Sequence, residues 1–90
     1  ESGVRLLKAL SNTNRLRICC ALYEGEKSVG QLEKIVGLSQ SALSQHLARL
    51  RYDKLVVTRR HAQTIYYSLA DKTVETILRT LHDLFCGPGD

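Results

Sequence analysis

The sequence predicts a mainly α-helical domain with one β-hairpin, and three observations support this fold class. Between Ser28 and Leu55, apolar residues recur at helical spacing in two runs that Gly37 separates, a pattern typical of two helices joined by a tight turn. Residues 55–69 then form two β-branched and aromatic runs around a polar centre, as a hairpin does. Further helical runs precede and follow these elements. The predicted order α-α-α-α-β-β-α describes a winged helix-turn-helix, with residues 1–90 as a single domain.

Length and charge restrict the possible functions. Ninety residues suffice for one modest core but not for a substrate domain plus a cofactor domain. The net charge is +4, and residues 40–69 account for all of it, with five basic residues against one acidic residue. Such a local excess is expected where Lys and Arg replace the counterions of a phosphate backbone. No apolar run reaches about 20 residues and no signal-peptide pattern is found, so we expect a cytoplasmic protein without a membrane partner.

The first two predicted helices precede the helix-turn-helix. The first covers residues 4–10 and has surplus apolar surface for so short an element. Asn12 is a good N-cap for the second, which covers about residues 13–24. The middle of this second helix, LRICCALY, is apolar almost all the way round. We therefore expect deep packing of Leu16, Cys19, Cys20, Leu22 and Tyr23.

The second helix of the helix-turn-helix, about residues 39–53, is the predicted recognition helix. Ser39 caps its start, and Leu43, Leu47 and Leu50 recur on one buried stripe. The opposite face carries Ser41, Ser44, Gln45, Ala48 and Arg49. Short Ser and Gln side chains suit close approach to DNA, because Gln can hydrogen-bond an adenine edge and Ser can bind phosphates or bases. The alternative is an ordinary surface helix that is rich in small polar residues.

The hairpin, about residues 55–69, follows the recognition helix directly and is therefore interpreted as a wing. Its polar centre, RRHAQ, lacks Gly and Pro and is the predicted tip. Arg59, Arg60, His61 and Gln63 at this tip are placed to reach an adjacent minor groove or its phosphates. The alternative is an edge hairpin whose arginines resist aggregation.

A last helix over residues 72–85, opened by Asp71, has a wide apolar face. This face consists of Val74, Ile77, Leu78, Leu81, Leu84 and Phe85. The GPG sequence at 87–89 is expected to stop the helix. A helix that follows a wing has little core left to cover in its own subunit. The segment 71–86 is therefore the predicted dimerisation helix of a homodimer, together with the first helix.

Three segments in order along the chain resemble the ArsR family of bacterial repressors: LKALSNTNRLRI, SQSALSQHLARLR and LVVTRRHAQTIYYSL. The resemblance covers essentially the whole chain. It implies a homodimer that binds operator DNA and leaves it when an inducer acts. It also implies that 39–49 form the recognition helix and 59–63 the wing tip. The candidate DNA-binding residues are Ser39, Gln40, Ser41, Ser44, Gln45, His46, Arg49, Arg59, Arg60, His61 and Gln63.

Neither a metal site nor a catalytic site is predicted. Many members of the family bind metals through cysteines at the start of the helix-turn-helix or through Asp, His and Glu on the last helix. Here the segment SVGQLEKIVG has neither Cys nor His, and His82 and Asp83 lack a second His at ligand spacing. No nucleophile stands beside a matched base and no phosphate-binding loop is found. We therefore expect no metal, no cofactor and no enzyme activity.

The three cysteines are Cys19, Cys20 and Cys86. From the residues alone, each can be a small core hydrophobe, since reduced Cys is among the most buried residue types. The segments RLRICCALYEGEKSVGQL and LHDLFC, however, are similar to the BigR, SqrR and HlyU branch of the family. That resemblance implies a redox-sensing dithiol of Cys20 and Cys86 that responds to persulfides and related reactive sulfur species. Cys19 is an extra thiol where that branch usually carries an aliphatic residue. Because adjacent helix positions point about 100° apart, Cys19 is the alternative partner for Cys86.

The expected function is a sequence-specific repressor that releases its operator when Cys20 and Cys86 become bridged. Among regulators, the alternatives are a response to general oxidants and an antirepressor of virulence genes that competes with a nucleoid protein. A winged-helix module that binds another protein is the alternative from a different class. The positive charge confined to residues 40–69 favours DNA over a protein partner.

Overall fold

The computed structural model describes residues 2–85, and the side chains of residues 3–84. This part of the chain contains five helices and three strands: α1 Ser2–Leu10, α2 Thr13–Tyr23, β1 Lys27–Ser28, α3 Val29–Val36, α4 Gln40–Tyr52, β2 Val56–His61, β3 Thr64–Leu69 and α5 Lys72–Phe85. The predicted order is confirmed, and the short strand β1 is an addition to it. Cys86 and the predicted helix stop at 87–89 lie outside the described residues.

Side-chain caps begin the helices where the sequence predicts them. Asn12 Oδ1 accepts hydrogen bonds from the amides two and three residues along, at 3.0 and 3.1 Å. Ser28 and Gln31 accept from each other's backbone amides in a capping box at the start of α3. Helix α3 ends at Gly37, whose φ of 70° lies in the left-handed region. The chain can therefore turn sharply there into α4.

The three strands form one antiparallel sheet in the order β1-β3-β2, in which β2 and β3 are the wing. Their ladder continues until His61 pairs with Thr64. The connecting loop is therefore only Ala62 and Gln63, with a φ of 56° at Ala62, as the first position of some two-residue hairpin loops requires. The predicted tip over residues 59–63 is too long, because the ladder keeps its first three residues within β2.

The core brings together α2, the helix-turn-helix, the base of the wing and α5. Its largest fully buried side chains are Ile18, Cys19, Leu32, Leu43, Leu47, Leu50, Leu55 and Leu78. The predicted leucine stripe of α4 belongs to this set, so the sequence pattern is confirmed for the recognition helix. Because that stripe is fixed in the core, the opposite side of α4 must face outward.

Helix α2 is buried along one side and not all round. Ile18, Cys19, Ala21 and Leu22 are its buried residues. Cys20 and Tyr23 are exposed and Leu16 is half-buried, so the expectation of deep packing is wrong for these three within the single chain. Successive residues of a helix point about 100° apart, so the side of α2 that faces away from the core stays exposed while the neighbouring residues are buried.

Helices α1 and α5 leave apolar surface open on one side of the domain. Val4 and Leu7 on α1 are 48% and 60% exposed, and Leu84 on α5 is 70% exposed. A groove of about 470 Å³ lies between the two helices, with Leu6 and Ile77 in its lining. Neither these helices nor any other between residues 2 and 85 is long and apolar enough to cross a membrane.

Candidate nucleic-acid interface and thiol site

Helix α4 presents the predicted polar face to solvent. Ser39 caps its start by accepting a hydrogen bond from the amide of Ala42 at 3.2 Å. Gln40, Ser41, Ser44, Gln45, Ala48 and Arg49 are exposed, and His46 is half-buried beside the leucine stripe. Within the described residues, the side chains of Ser41, Ser44 and Gln45 have no hydrogen-bond partner. They can therefore bind another molecule without breaking a contact inside the chain.

Arg49 is exposed but already has a partner. Its Nε donates a hydrogen bond to Oδ2 of Asp53 at 2.6 Å, and Asp53 is only 8% exposed at the C-cap of α4. Arg5 on α1 places its Nε 3.6 Å from Oδ1 of the same carboxylate. Asp53 thus joins the end of the recognition helix to α1. This role of Asp53 was not predicted, although its four-residue spacing from Arg49 is the signal of a helical ion pair.

The loop end of the wing carries Arg60, His61 and Gln63, which are all exposed. Arg60 Nε donates one long hydrogen bond, 3.3 Å, to the backbone carbonyl of Ala62. A single long bond to an exposed carbonyl is easily exchanged for a bond to another acceptor. The guanidinium of Arg60 is therefore accessible to an anionic partner.

Arg59 lies two-thirds of the way along β2 and is held by its own chain. Its Nε and Nη2 donate to Oε2 and Oε1 of Glu26 at 2.7 and 2.8 Å, and its Cζ lies 4.7 Å from the centre of the Tyr66 ring. The hydrogen bond from Arg59 lowers the pKa of Glu26, and the same bond raises the pKa of Arg59. Both groups are therefore charged at neutral pH. Glu26 was not predicted as a site residue, since it lies 33 residues before its partner.

The adjacent cysteines of α2 have opposite environments. Cys19 is fully buried, and burial raises the pKa of its thiol from 9.0 to about 12, with a further contribution from Cys20. Cys20 is exposed in a surface depression that Arg17 and Ile35 also line. Because the thiolate is the reactive form, Cys19 is poorly placed for thiol chemistry at neutral pH. The predicted partner Cys86 lies outside the described residues.

Metal-ligating side chains are not clustered in the part of the chain that the structure describes. Between residues 2 and 85, no group of three or more His, Cys, Asp or Glu side chains could hold an ion. His82 and Asp83 on α5 are both exposed, with 3.7 Å between His82 Nδ1 and Asp83 Oδ1. Two adjacent exposed side chains do not supply the ligand set of a tightly bound metal.

Comparison with known proteins identifies a family and relatives. A model of the bacterial regulatory proteins of the arsR family matches residues 12–57, from the cap of α2 into the first strand of the wing. The transcriptional activator HlyU of Vibrio cholerae serotype O1 is 53% identical over 84 residues, which are 93% of this chain and 78% of that protein. The similarity therefore extends over the helix-turn-helix, the wing and the helices that flank them.

Solved structures share the fold. Reduced HlyU from Vibrio cholerae N16961 has a TM-score of 0.91 at 52% identity, covering 94% of this chain and 90% of that chain. The transcriptional repressor BigR from Xylella fastidiosa has a TM-score of 0.87 at 41% identity, covering 94% and 87%. A homodimeric winged helix-turn-helix DNA-binding domain from Mycobacterium bovis has a TM-score of 0.85 at 29% identity, covering 92% and 77%.

Proposed function

Because the chain belongs to the ArsR family of bacterial regulatory proteins and is a transcriptional regulator of that family, we propose that it is a homodimeric repressor that releases its operator when Cys20 and Cys86 become bridged. The observation that carries the DNA-binding part is the polar face of α4, which lies over a buried leucine stripe and carries no acidic residue. The names of the relatives describe regulators, and we infer a regulator that works on the chromosome in the cytoplasm and not an enzyme.

On this proposal the recognition helix reads DNA in the major groove. Gln45 hydrogen-bonds a base edge, while Ser41 and Ser44 bind bases or phosphates. Ser39 and Gln40 lie at the helix start, where backbone amides and the helix dipole favour a phosphate. His46, half-buried beside the leucine stripe, can reach DNA only at the edge of this face.

The wing supplies contacts beside the major groove. Arg60, His61 and Gln63 at its loop end bind the phosphates or edge of the adjacent minor groove. Arg49 and Arg59 were predicted to join these contacts, yet each is paired with a carboxylate of its own chain. To bind a phosphate, either arginine would have to exchange that partner.

A second copy of the chain is the partner that suits the open surface of α1 and α5. Burying a Leu side chain stabilises an assembly by roughly 1.5 to 3 kcal/mol, and Leu7 and Leu84 are largely exposed in the single chain. The Mycobacterium bovis relative is homodimeric. A two-fold axis would set two recognition helices on half-sites about 34 Å apart. Leu7→Glu should give folded monomers in sedimentation velocity at concentrations where the unchanged chain is dimeric.

Accessibility supports Cys20 as the sensing thiol that α2 supplies, because Cys19 is buried and stays protonated. In the proposed chemistry, one thiolate takes the outer sulfur of a small persulfide and releases the parent thiolate. The second thiolate attacks the inner sulfur of the resulting protein persulfide, hydrosulfide leaves, and a disulfide joins Cys20 and Cys86. A polysulfide donor leaves extra sulfur atoms in the bridge by the same displacement.

The bridge can act on DNA because α2 packs against α3, α4 and α5. A link between α2 and the end of the last helix would change how the core supports the recognition helix relative to the dimer surface. Allosteric couplings of this kind are typically about 1 to 3 kcal/mol, which corresponds to roughly 5-fold to 150-fold weaker operator binding.

Mass spectrometry and gel shifts on persulfide-treated protein test the sensing mechanism. After treatment, we expect the peptides that contain Cys20 and Cys86 to gain the mass of whole sulfur atoms or to be joined by a bridge, and the protein to lose DNA binding. The Cys20→Ser and Cys86→Ser variants should each keep binding DNA after the same treatment. Cys19→Ala is the matched control and should still respond. If Cys20→Ser responds and Cys19→Ala does not, the role passes to Cys19. If Cys86→Ser still responds, the dithiol mechanism is wrong.

The name of one relative favours a second candidate, since HlyU of Vibrio cholerae is a transcriptional activator. A winged helix-turn-helix without an activating domain can raise transcription by displacing another DNA-bound protein from a promoter. A reporter fused to the bound promoter separates the two: deletion of the regulator raises expression if it is a repressor. Deletion lowers expression if it is an antirepressor, and only while the displaced protein is present.

A further inference from the structure

Glu26, Arg59 and Tyr66 form a group of side chains in contact at the wing, here called the wing clamp, to which no role has been given above. Glu26 immediately precedes β1, and Arg59 lies on β2, the strand farthest from β1 in the sheet. The two hydrogen bonds of 2.7 and 2.8 Å therefore reach across β3. Tyr66 on β3 pairs directly with Arg59 in the ladder, and its ring lies against the guanidinium of Arg59 in a cation–π contact.

The wing clamp joins the wing to the first helix of the helix-turn-helix. Ser28, two residues after Glu26, forms the capping box of α3. Within residues 2–85, the ladder between β1 and the wing consists of two pairs, Lys27 with Tyr67 and Ser28 with Tyr66. A two-stranded ribbon with so short a third strand is weakly restrained. The clamp therefore adds a side-chain restraint on the wing angle, and it does so at the strand that the ladder leaves outermost.

The contacts of Arg59 differ from those of Arg60. Both nitrogens that Arg59 turns toward Glu26 are occupied in a bidentate pair, and the charge of that pair sums to zero. Arg60 makes one 3.3 Å bond to a backbone carbonyl and keeps its full charge for an external anion. The two neighbouring arginines are thus suited to different tasks, although sequence position alone treats them as equivalent.

We propose that Glu26 is a positioning residue for DNA binding, and that Arg59 acts through Glu26 and Tyr66 to hold the wing at its working angle instead of binding a phosphate. This inference rests on the proposed DNA-binding function. It assigns the direct electrostatic contact of the wing to Arg60. It also explains why an acidic side chain lies beside a surface that otherwise suits DNA.

The test uses fluorescence anisotropy with a duplex that the unchanged protein selects from a random library, across a range of salt concentrations. The neutral pair Glu26→Gln/Arg59→Gln keeps the net charge and should weaken binding roughly two- to fivefold, as expected for loss of an exposed pair, with the salt slope unchanged. The swapped pair Glu26→Arg/Arg59→Glu should restore most of the affinity that Arg59→Glu alone loses. Arg60→Gln is the matched control and should lower the salt slope by about 0.9.

Three results would overturn the proposal. Tighter binding by Glu26→Gln would mean that Glu26 masks Arg59 from DNA. A swapped pair as weak as Arg59→Glu alone, or a salt slope reduced by about 0.9 in the neutral pair, would mean that Arg59 binds a phosphate directly. Amide hydrogen exchange without DNA tests the clamp separately and should be faster in β2 and β3 of Glu26→Gln but unchanged in α4. If the unchanged protein selects no duplex from the library, the proposed DNA-binding function is wrong. Amide hydrogen exchange of Glu26→Gln still tests whether the wing clamp restrains the wing.

Discussion

The recognition helix and the wing are attached to the domain in different ways. Helix α4 is held from inside by its leucine stripe and by the buried carboxylate of Asp53, which leaves Gln45 and its neighbours without partners within the described residues. The wing is anchored in the core at its base, where Val56 is buried, and farther along the strand Arg59 is held by Glu26 on an exposed sheet face. Positive charge alone therefore does not identify which side chains are available to an external partner. Arg49 and Arg59 are occupied by carboxylates, whereas the uncharged Gln45 is available.

The largest difference between the two regions should appear in stability. Leu47 is 2% exposed beneath the recognition helix, so Leu47→Ala should lower the free energy of unfolding by about 2 to 5 kcal/mol. Ile65 is 40% exposed in the wing, and Ile65→Ala should cost well under 1 kcal/mol. Urea titrations at one fixed protein concentration measure both. Equal costs would mean that the wing belongs to the cooperative core and that the distinction drawn above is wrong.

The ion pairs of the two regions should also contribute differently to stability, with the Asp53 pair on α4 contributing more than the Glu26 pair of the wing. Asp53 is 8% exposed and serves two arginines, so Asp53→Ala should destabilise the fold by about 1 to 3 kcal/mol. The Glu26 pair is exposed, and Glu26→Gln should leave the melting midpoint nearly unchanged. Melting curves by circular dichroism report both variants. A midpoint that falls as far for Glu26→Gln as for Asp53→Ala would make the wing clamp part of the core framework.

Replacing Gln45 tests the part of the comparison that concerns specificity. Gln45→Ala should weaken binding to the selected duplex by roughly 1 to 3 kcal/mol, since a bidentate contact to a base edge is lost. Binding to scrambled DNA should change little, because phosphate contacts remain. Competition between the two duplexes measures the specificity ratio. Unchanged discrimination would show that α4 is not the base-reading element.

Replacing Arg60 should have the smallest effect on the free energy of DNA binding, and this effect should be the same for every DNA sequence. Arg60→Ala removes one exposed cation from the wing, so affinity should fall by a similar factor for the selected and the scrambled duplex. The slope of log affinity against log salt should decrease by about 0.9, the value for one phosphate contact. A loss confined to the selected duplex would instead assign base reading to the wing.

Local patterns predicted most of the fold. The caps at Asn12 and Ser39, the left-handed Gly37 and the leucine stripe of α4 all depend on residues within a few positions of one another. Such interactions are visible in one stretch of sequence. Strand β1 was not predicted because two residues are too few to show an alternating pattern.

Contacts between side chains far apart in the sequence could not be predicted from local sequence patterns. Glu26 and Arg59 are 33 positions apart and meet only through the strand order β1-β3-β2. The exposure of one side of α2 was not predicted for the same reason. The segment LRICCALY is apolar on every face, and its periodicity does not distinguish buried Cys19 from exposed Cys20. Composition could name the two candidate thiols of α2 but not decide between them.

The carboxylate of Asp53 has a consequence for how this sequence can vary. It accepts from Arg49 on the recognition helix and lies near Arg5 on α1, so the two arginines share one acceptor. Substitutions that share a partner are not additive, and the loss of one arginine leaves the carboxylate more dependent on the other. A change in α1 that is harmless beside Arg49 becomes costly once Arg49 is exchanged to suit a new operator. Divergence of α4, the proposed DNA-reading helix, is therefore epistatic with α1, a helix proposed to join two subunits. New DNA specificities should arise with accompanying changes at position 5.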